Sequence, residues 1–273
     1  DSARAALFCF LFAKKHDGQF VLRLDDTDRE RSTQTFADAI QADLNWLGLK
    51  WDETAHQSDR FERYDSLFET LVAQGHVYAC YETPEELERK RKRQLAQGKP
   101  PVYDRAGLAL SADEKAALEA EGRTAHWRFK LSGNQVAWRD LVRGEQKIDT
   151  ASVSDPVIRR ADGSWLYTLP SVVDDLDMNI SHVIRGEDHV TNTAAQVELI
   201  AALGGEVPEF AHFSLMLGAD GSGLSKRLGS LALADLRDSG LEPISLNAHI
   251  ARLGTADPVV PAQTMQEIID GFD

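Results

Sequence analysis

The feature that most constrains this chain is an alternation of helical and strand periods that begins at once, breaks off, and returns. Residues 2–16 place Leu7, Phe8, Phe10, Leu11 and Phe12 among alanines and end on Lys14, Lys15 and His16. That pattern predicts a helix with a basic last turn, stopping near Asp17-Gly18. Residues 19–24 read as a strand, with Phe20, Leu22 and Leu24 on one face and Val21 and Arg23 on the other. A helix feeding a strand through a short turn implies an α/β unit, here without the strand that would precede it. Helices are expected over 33–47, with Phe36, Ile40, Leu44 and Leu47 at helical spacing and Gly48 as C-cap, and over 58–74, with Phe61, Tyr64, Leu67, Phe68 and Leu71 inward. The alternation resumes late. Residues 182–185 read as a strand ending in Gly186-Glu187-Asp188-His189, 192–203 as a helix closed by Gly204-Gly205, and 213–217 as a strand. The tail near 242–271 reads as mostly helical, with Ile244, Leu246, Ile250 and Leu253 in its first part.

The interruption, near 81–170, has a different character. Thr83-Pro84-Glu85-Glu86 and Ser111-Ala112-Asp113-Glu114 both carry capping-box spacing, so each opens a helix. The first of these carries five consecutive basic residues, Arg89 to Arg93, and stops at Gly98-Lys99-Pro100-Pro101. Strand-like pieces follow at 127–131, 135–138, 157–159 and 165–169, with turn signals at Gly133-Asn134 and Asp162-Gly163. The segment reads as an α+β insertion into the α/β fold.

At 273 residues the chain has room for one large or two modest domains and needs no covalent staples to bury a core. Two cysteines, Cys9 and Cys80, are too few for a disulfide scaffold and fit a reducing compartment. No run of 18 apolar residues exists, so no membrane span is expected. With 30 basic against 44 acidic residues the net charge is −14, which argues against a protein that coats DNA. An enzyme acting on nucleic acid through local basic patches stays open.

Residues 218–229, Gly-Ala-Asp-Gly-Ser-Gly-Leu-Ser-Lys-Arg-Leu-Gly, gather a hydroxyl and two cations, Ser225, Lys226 and Arg227, in a glycine-rich loop. Such a loop can neutralise charge on a phosphoryl group, although it is no Walker A sequence; the alternative is a solvated hairpin tip. Asp25, Asp26 and Asp28 follow a strand and can hold a metal or an ammonium group; equally they can cap the next helix or pair with Arg29 and Arg31. Arg185 ends a strand where α/β folds place ligands and can grip a carboxylate in two-pronged fashion, or it forms a structural ion pair to Asp174 or Asp188. Tyr167 either orients a polar substrate or packs as a core aromatic. The histidines show no metal-ligand spacing, and His56, His76 and His126 read as structural or surface residues. The Arg89 to Arg93 run is a solvated helix face or a contact for a phosphate backbone.

Together these motifs resemble glutamyl-tRNA synthetase, a class I aminoacyl-tRNA synthetase. The resemblance starts at Ala3-Arg4-Ala5-Ala6-Leu7-Phe8, continues through Leu22-Arg23-Leu24-Asp25-Asp26-Thr27-Asp28-Arg29, Asn45-Trp46-Leu47-Gly48-Leu49 and Gln57-Ser58-Asp59-Arg60, and reaches Val172-Val173-Asp174-Asp175, His182-Val183-Ile184-Arg185-Gly186-Glu187-Asp188-His189 and Leu224-Ser225-Lys226-Arg227. It implies an α/β dinucleotide-type (Rossmann-like) catalytic fold in two halves, 1–80 and 171–240, interrupted by an acceptor-stem-binding α+β insertion at 81–170, with a helical stem-contact region beginning over 241–273. It also implies that the extreme N-terminus, with the His-Ile-Gly-His-type ATP signature, and the anticodon-binding region lie outside this sequence.

The resemblance assigns roles residue by residue. Asp25 stands where the family usually has a glutamate at the substrate ammonium group, one methylene shorter, so its contact is expected to be indirect. Tyr167 matches a tyrosine near the substrate side-chain carboxylate, Ser171 stands where many members have asparagine near the α-carboxylate, and Arg185 matches the arginine that clamps that carboxylate. His189 lies near the wall of the ATP site, and Asp28 in the region that approaches the terminal adenosine of tRNA. Lys226 matches the second lysine of the signature loop. Gly223 replaces the first, so Ser225, Lys226 and Arg227 are expected to carry the catalytic charge stabilisation.

Some members hold zinc with three cysteines and a tyrosine. Here Cys80 and Tyr103 remain while Glu82 and Gly107 take the other places, and no zinc is expected. The implied reaction is ATP-dependent ligation of L-glutamate to glutamate tRNA, with Mg2+ accompanying ATP and glutamine tRNA as a second candidate acceptor, in a cytoplasmic monomer away from membranes. The alternatives are a relative that glutamylates a modified base of aspartate tRNA, in which glutamine rather than Arg227 usually follows Ser-Lys, and an inactive tRNA-binding module.

Overall fold

A computed structural model describes residues 2–28, 32–216, 233–255 and 257–273. In chain order its elements are α1 (Ser2–Lys15), β1 (Val21–Leu24), α2 (Gln34–Trp46), β2 (Glu53–His56), α3 (Phe61–Ala73), β3 (Val77–Cys80), α4 (Pro84–Ala96), α5 (Ala106–Ala109) and α6 (Ala112–Ala120). There follow β4 (His126–Phe129), β5 (Gln135–Asp140), β6 (Gly144–Asp149), β7 (Val157–Arg159), α7 (Thr168–Asp177), β8 (His182–Gly186), α8 (Val190–Ala202), β9 (Glu209–Phe213), α9 (Leu233–Asp238), α10 (Pro243–Arg252) and α11 (Met265–Asp270). The mixed α/β content expected from the alternation is present. The loop at 218–229, with Ser225, Lys226 and Arg227, lies outside the described residues, as do Arg29 and Arg31.

The chain divides into two compact units. The first comprises residues 1–57, 184–188 and 211–273. Here α1 buries Leu7, Phe10 and Leu11 against Phe20, Leu22 and Leu24, the inward face of the first strand, together with Ala248, Ile250 and Ala251 of α10 and Ile268 and Ile269 of α11. Strands β1 and β2 pair in parallel, Val21 opposite Glu53 and Leu24 opposite His56. Arg4, on the first turn of α1, is only 2% exposed. Its Nη1 donates to the Ser214 carbonyl at 2.6 Å and its Nη2 to the Leu253 carbonyl at 2.7 Å. The guanidinium carbon lies 5.0 Å from the Phe8 ring centre and 4.8 Å from that of Phe213. Burial pulls the Arg4 pKa below its ordinary value.

Two expectations in this unit need correction. Helix α2 forms, with Gly48 just past its end, but Phe36 and Ile40 are 62% and 46% exposed. The packed side is Ala37, Leu44, Trp46 and Leu47. Leu44 and Leu47 thus pack inward, while Phe36 and Ile40 at the same spacing do not. The tail is two short helices, the second opened by a Thr264–Glu267 capping box.

The second unit comprises residues 58–183 and 189–210. Its larger core gathers Tyr64, Phe68 and Leu71 of α3, Phe129, Leu131, Ile158 and Trp165, Leu169, Val172 and Val173 of α7, and Leu199 and Ile200 of α8. Strand β4 pairs antiparallel with both β3 and β7. Strands β5 and β6 form an antiparallel hairpin, and β5 meets β9 in parallel through Asp140 and Phe210. Both predicted capping boxes form: Glu86 N donates to Thr83 Oγ1 at 3.3 Å and Glu114 N to Ser111 Oγ at 3.2 Å.

Residues 165–169 are not a strand. Trp165 makes one bridge to Arg159, and Tyr167 is the N-cap of helix α7. Pro170 falls in the first turn of that helix, where its missing N–H costs nothing, so a proline and aromatic-rich stretch disguises a helix start. Strand β6 escaped the sequence reading because Gly-Glu-Gln-Lys-Ile-Asp has no apolar alternation. The strand expected at 213–217 lies upstream, at Glu209–Phe213.

Helices α3 and α7 are joined by a buried acid. The carboxylate of Asp174, fully buried, accepts from Arg60 Nε at 2.6 Å and from the Tyr64 hydroxyl at 2.9 and 3.0 Å. Asp177, one turn on, accepts from Arg60 Nη2 at 2.6 Å and from Arg63 Nε and Nη2 at 2.9 and 2.8 Å. Asp174→Ala leaves Arg60 Nε and the Tyr64 hydroxyl without this acceptor and should destabilise this unit by about 3 kcal/mol in urea unfolding. The hydrogen bonds from Arg63 hold the Asp177 carboxyl below the usual carboxylate range. Its contribution is therefore complete above about pH 4 and is lost as pH falls through the depressed folded-state value. An Asp177→Asn variant should show a shallower acid limb in the same measurement.

Candidate active site

In the first unit the candidate groups sit at strand ends. Asp25, just past β1, is exposed and pairs with Arg23, whose Nε lies 2.9 Å from Oδ1. Asp26 Oδ2 lies 3.1 Å from His56 Nδ1 at the end of β2. Asp28 accepts, through its backbone carbonyl, from Ser32 N at 2.9 Å.

Arg185 lies near the end of β8 and is 9% exposed. Its Nε donates to Nε2 of His212 at 3.1 Å. The turn that follows is tightly built: a Cβ at Gly186 would fall 2.5 Å from Asp188 Oδ1 and 2.9 Å from Leu215 Cδ2, so a larger residue would require those two side chains to shift. Glu187 Oε1 accepts from Leu215 N at 3.4 Å. His212 belongs to β9, beside β8 in the sheet, and has no exposed surface.

In the second unit Tyr167 is 39% exposed, and its ring lies 5.8 Å from that of His189 at a 51° tilt. Ser171 is one helical turn on, its N–H donating to the Tyr167 carbonyl at 3.1 Å. The Ser171 hydroxyl is buried. It donates to the Thr168 carbonyl at 3.3 Å and accepts from Gln196 Nε2 at 3.1 Å. His189 is the N-cap of α8, with its Nδ1 3.3 Å from Asn192 Nδ2 and its carbonyl accepting from Thr193 Oγ1 at 3.2 Å. The two units therefore each present a buried polar group behind a candidate residue: His212 behind Arg185, and Gln196 behind Ser171. Sequence reading found neither, because neither lies in a motif and each meets its partner only through tertiary packing.

A family model described as "tRNA synthetases class I (E and Q), catalytic domain" matches residues 1–272. The chain belongs to this family. It is similar to glutamate–tRNA ligase 1 of Maricaulis maris, 59% identical over all of this chain and 61% of that protein. Glutamate–tRNA ligase 2 of Jannaschia sp. is 57% identical over 99% of this chain and 60% of its own length. Among solved structures, a glutamate tRNA ligase from Elizabethkingia meningosepticum in complex with its amino acid superposes with a TM-score of 0.86 at 31% identity, covering 99% of this chain and 61% of that one. The chain thus spans about three fifths of the length of these relatives, and its fold is the class I synthetase catalytic fold.

Some synthetases of this family hold zinc, and the residues at that place can be tested for fit. Antiparallel pairing sets Cys80 opposite His126. Cys80, Glu82 and His126 each bring one ligand atom to within 4.8 Å of the others, so His126 is a third donor that sequence reading passed over. Glu82 Oε2 and His126 Nε2 are buried without a hydrogen-bond partner. A closed structural zinc site needs a fourth ligand. Position 107 cannot supply it, since even a Cβ there would fall 2.6 Å from the Ala79 carbonyl oxygen and 2.8 Å from Cys80 Sγ, which leaves the weakly ligating phenol of Tyr103, 3.4 Å from Cys80 Sγ. The Tyr103 hydroxyl donates to Glu82 at 2.9 Å, and Lys90 Nζ lies 3.2 Å from the same carboxylate. Burial pushes the Cys80 thiol up to about 11. Lys90, from the basic run, is thereby a cation already seated on the cluster. Elemental analysis of protein purified without added metal should give well under one zinc per chain; stoichiometric zinc that disappears in Cys80→Ser or His126→Ala would reverse this assignment.

Proposed function

We propose that this chain serves the ATP-dependent ligation of L-glutamate to the 3′ end of glutamate tRNA, through a glutamyl-adenylate. The observation that carries this reading is the chain-long similarity, at 54–59% identity, to glutamate–tRNA ligases. Residues 1–80 and 171–240 are assigned to the catalytic fold, 81–170 to an acceptor-stem-binding insertion, and 241–273 to the start of a helical stem-contact region. The protein works as a monomer in the cytoplasm; among the described residues no helix is long and apolar enough to cross a membrane.

Arg185 holds the α-carboxylate of glutamate, Tyr167 and Ser171 complete the substrate pocket, and His189 stands at the ATP wall. Asp25 serves the ammonium end indirectly. Its pairing with Arg23 supports this, because the carboxylate is already partly engaged. Asp28 meets the terminal adenosine of tRNA. The substrate carboxylate attacks the α-phosphorus of ATP and pyrophosphate leaves; the terminal ribose hydroxyl of tRNA then attacks the adenylate carbonyl and AMP leaves. No protein nucleophile is needed. Ser225, Lys226 and Arg227 stabilise the negative charge that develops on the transferring phosphoryl group. Mg2+ arriving with ATP adds charge neutralisation at the phosphates. No zinc takes part.

Two measurements test this assignment in the complete protein with tRNA present. Lys226→Ala should slow adenylate formation roughly a hundredfold, about 3 kcal/mol, and a rate within about threefold of the parent would remove Lys226 from the chemistry. Arg185→Ala should cost at least about 2 kcal/mol in kcat/KM for glutamate, with Asp25→Ala milder. An Asp25→Ala defect larger than that of Arg185→Ala would reverse the assigned order of importance.

A further inference from the structure

The basic run on α4 divides by exposure. Arg89, Arg91, Lys92 and Arg93 are exposed, whereas Lys90 is half-buried, as are Leu87 and Gln94 at helical spacing from it. Lys90 therefore belongs to the inward face of the helix. Its Nζ lies 3.2 Å from Glu82 Oε1 and 3.0 Å from Asp104 Oδ2. One ammonium thus joins three pieces of chain within the second unit: α4, the segment leaving β3, and the segment before α5. Tyr103 closes the same cluster. Its hydroxyl donates to Glu82 Oε1 at 2.9 Å and accepts from Gly107 N at 3.0 Å, and its own N–H donates to Ser154 Oγ at 2.9 Å.

Cross-linking of this kind is what a structural metal ion performs, and here a side chain does it. Cys80, Glu82 and His126 bring donor atoms to within 4.8 Å of one another, close enough for one ion to gather. Glu82 is the residue that an ion and Lys90 would have to share. A divalent ion and an ammonium on one carboxylate would set like charges a few ångströms apart with little water between them. The two therefore exclude each other. The ammonium leaves a trace of the exchange: it serves Glu82 Oε1 and Asp104, while Glu82 Oε2 and His126 Nε2 are buried without a hydrogen-bond partner. Arg128 is the other cation at the cluster. It flanks Cys80, its guanidinium carbon lies 4.0 Å from the Tyr103 ring centre, and its Nη1 donates to the Asp155 carbonyl at 2.6 Å.

We propose that Lys90 is a built-in structural cation: its ammonium holds the end of β3, the 103–107 segment and α4 together in place of a metal ion, and it keeps metal from Cys80, Glu82 and His126. The proposal is independent of the reading of the chain as a synthetase.

The test uses the complete protein, freed of metal, with melting temperatures and Co2+ titrations followed by absorbance. Lys90→Met, which keeps the stem and removes the charge, should lower the melting temperature by about 5 °C. It should also bind Co2+ at least about tenfold more tightly than the parent. The complex should show a thiolate-to-cobalt absorption band that disappears in the Lys90→Met, Cys80→Ser double variant. Saturating Zn2+ should return part of the lost melting temperature to Lys90→Met and leave the parent unchanged. Lys90→Arg, which keeps a cation, should match the parent in both measurements. A Lys90→Met protein that melts like the parent overturns the inference. So does one that binds Co2+ no more tightly than the parent, or a parent that itself holds stoichiometric metal. Should Lys90→Met fail to fold, the Lys90→Met, Glu82→Gln double variant decides. Removing both charges should restore folding if Lys90 balances Glu82, and an unfolded double variant assigns the lysine to packing and overturns the inference.

Discussion

A guanidinium taken out of water must find its partners inside the protein, and much of the first unit is organised around meeting that demand for Arg4. Its charge is met by two carbonyl oxygens and two aromatic faces, with no carboxylate among the described residues. Hydrogen bonds to charged donors are among the stronger ones, and these two run from the first turn of α1 to residues more than two hundred positions away. They tie α1 at once to the segment leaving β9 and to the end of α10. The Phe8–Phe213 contact lies beside the same guanidinium. These contacts hold β9, and with it His212, against α1 in this unit.

In the second unit the same logic runs with the sign reversed. Asp174 is a fully buried carboxylate met by Arg60 and the Tyr64 hydroxyl, so α7 can be seated against α3 in one way only. That fixes the whole of α7, including its first turn, where Tyr167 is exposed. Leu169, Val172 and Val173 occupy the hydrophobic core of the same helix. One short element thus carries a core face, a structural acid and a candidate substrate contact, and the position of the last depends on the first two.

What was legible in the sequence was local. The capping boxes at Thr83 and Ser111 form as read because all their partners lie within four residues. The strand through Leu22 and Leu24 and the helix through Leu7 and Leu11 follow from simple periodicity. The face of α2 was legible in part: Leu44 and Leu47 reach the core of their unit, but Phe36 and Ile40 keep the right spacing without doing so, and Ala37 packs there. Helix α7 was hidden by its own first turn, where aromatic and β-branched residues precede Pro170. At the site, Arg185 stood out as the arginine before a glycine-acid turn. His212, Gln196 and His126 did not, because each acquires its partner from strand adjacency or helix packing, which no linear spacing encodes.

The chain carries a net charge of −14, so an exposed cation in it is rarely far from an acid. Arg60 and Arg63 are claimed by Asp174 and Asp177, Lys90 by Glu82 and Asp104, Arg105 by Asp155, Arg123 by Glu86. A cation meant to receive an anionic substrate has to escape this fate, and burial beside neutral acceptors is one physical route. The carbonyls around Arg4 show that route, and the imidazole beside Arg185 is a second buried neutral contact in the same unit. The difference between the two lies in their surroundings. Arg4 is enclosed by aromatic rings and 2% exposed, which suits a structural clamp, whereas Arg185 stands at 9% beside a turn at the end of its strand. Desolvation strengthens any carboxylate that reaches such a guanidinium, because the competing water is already gone.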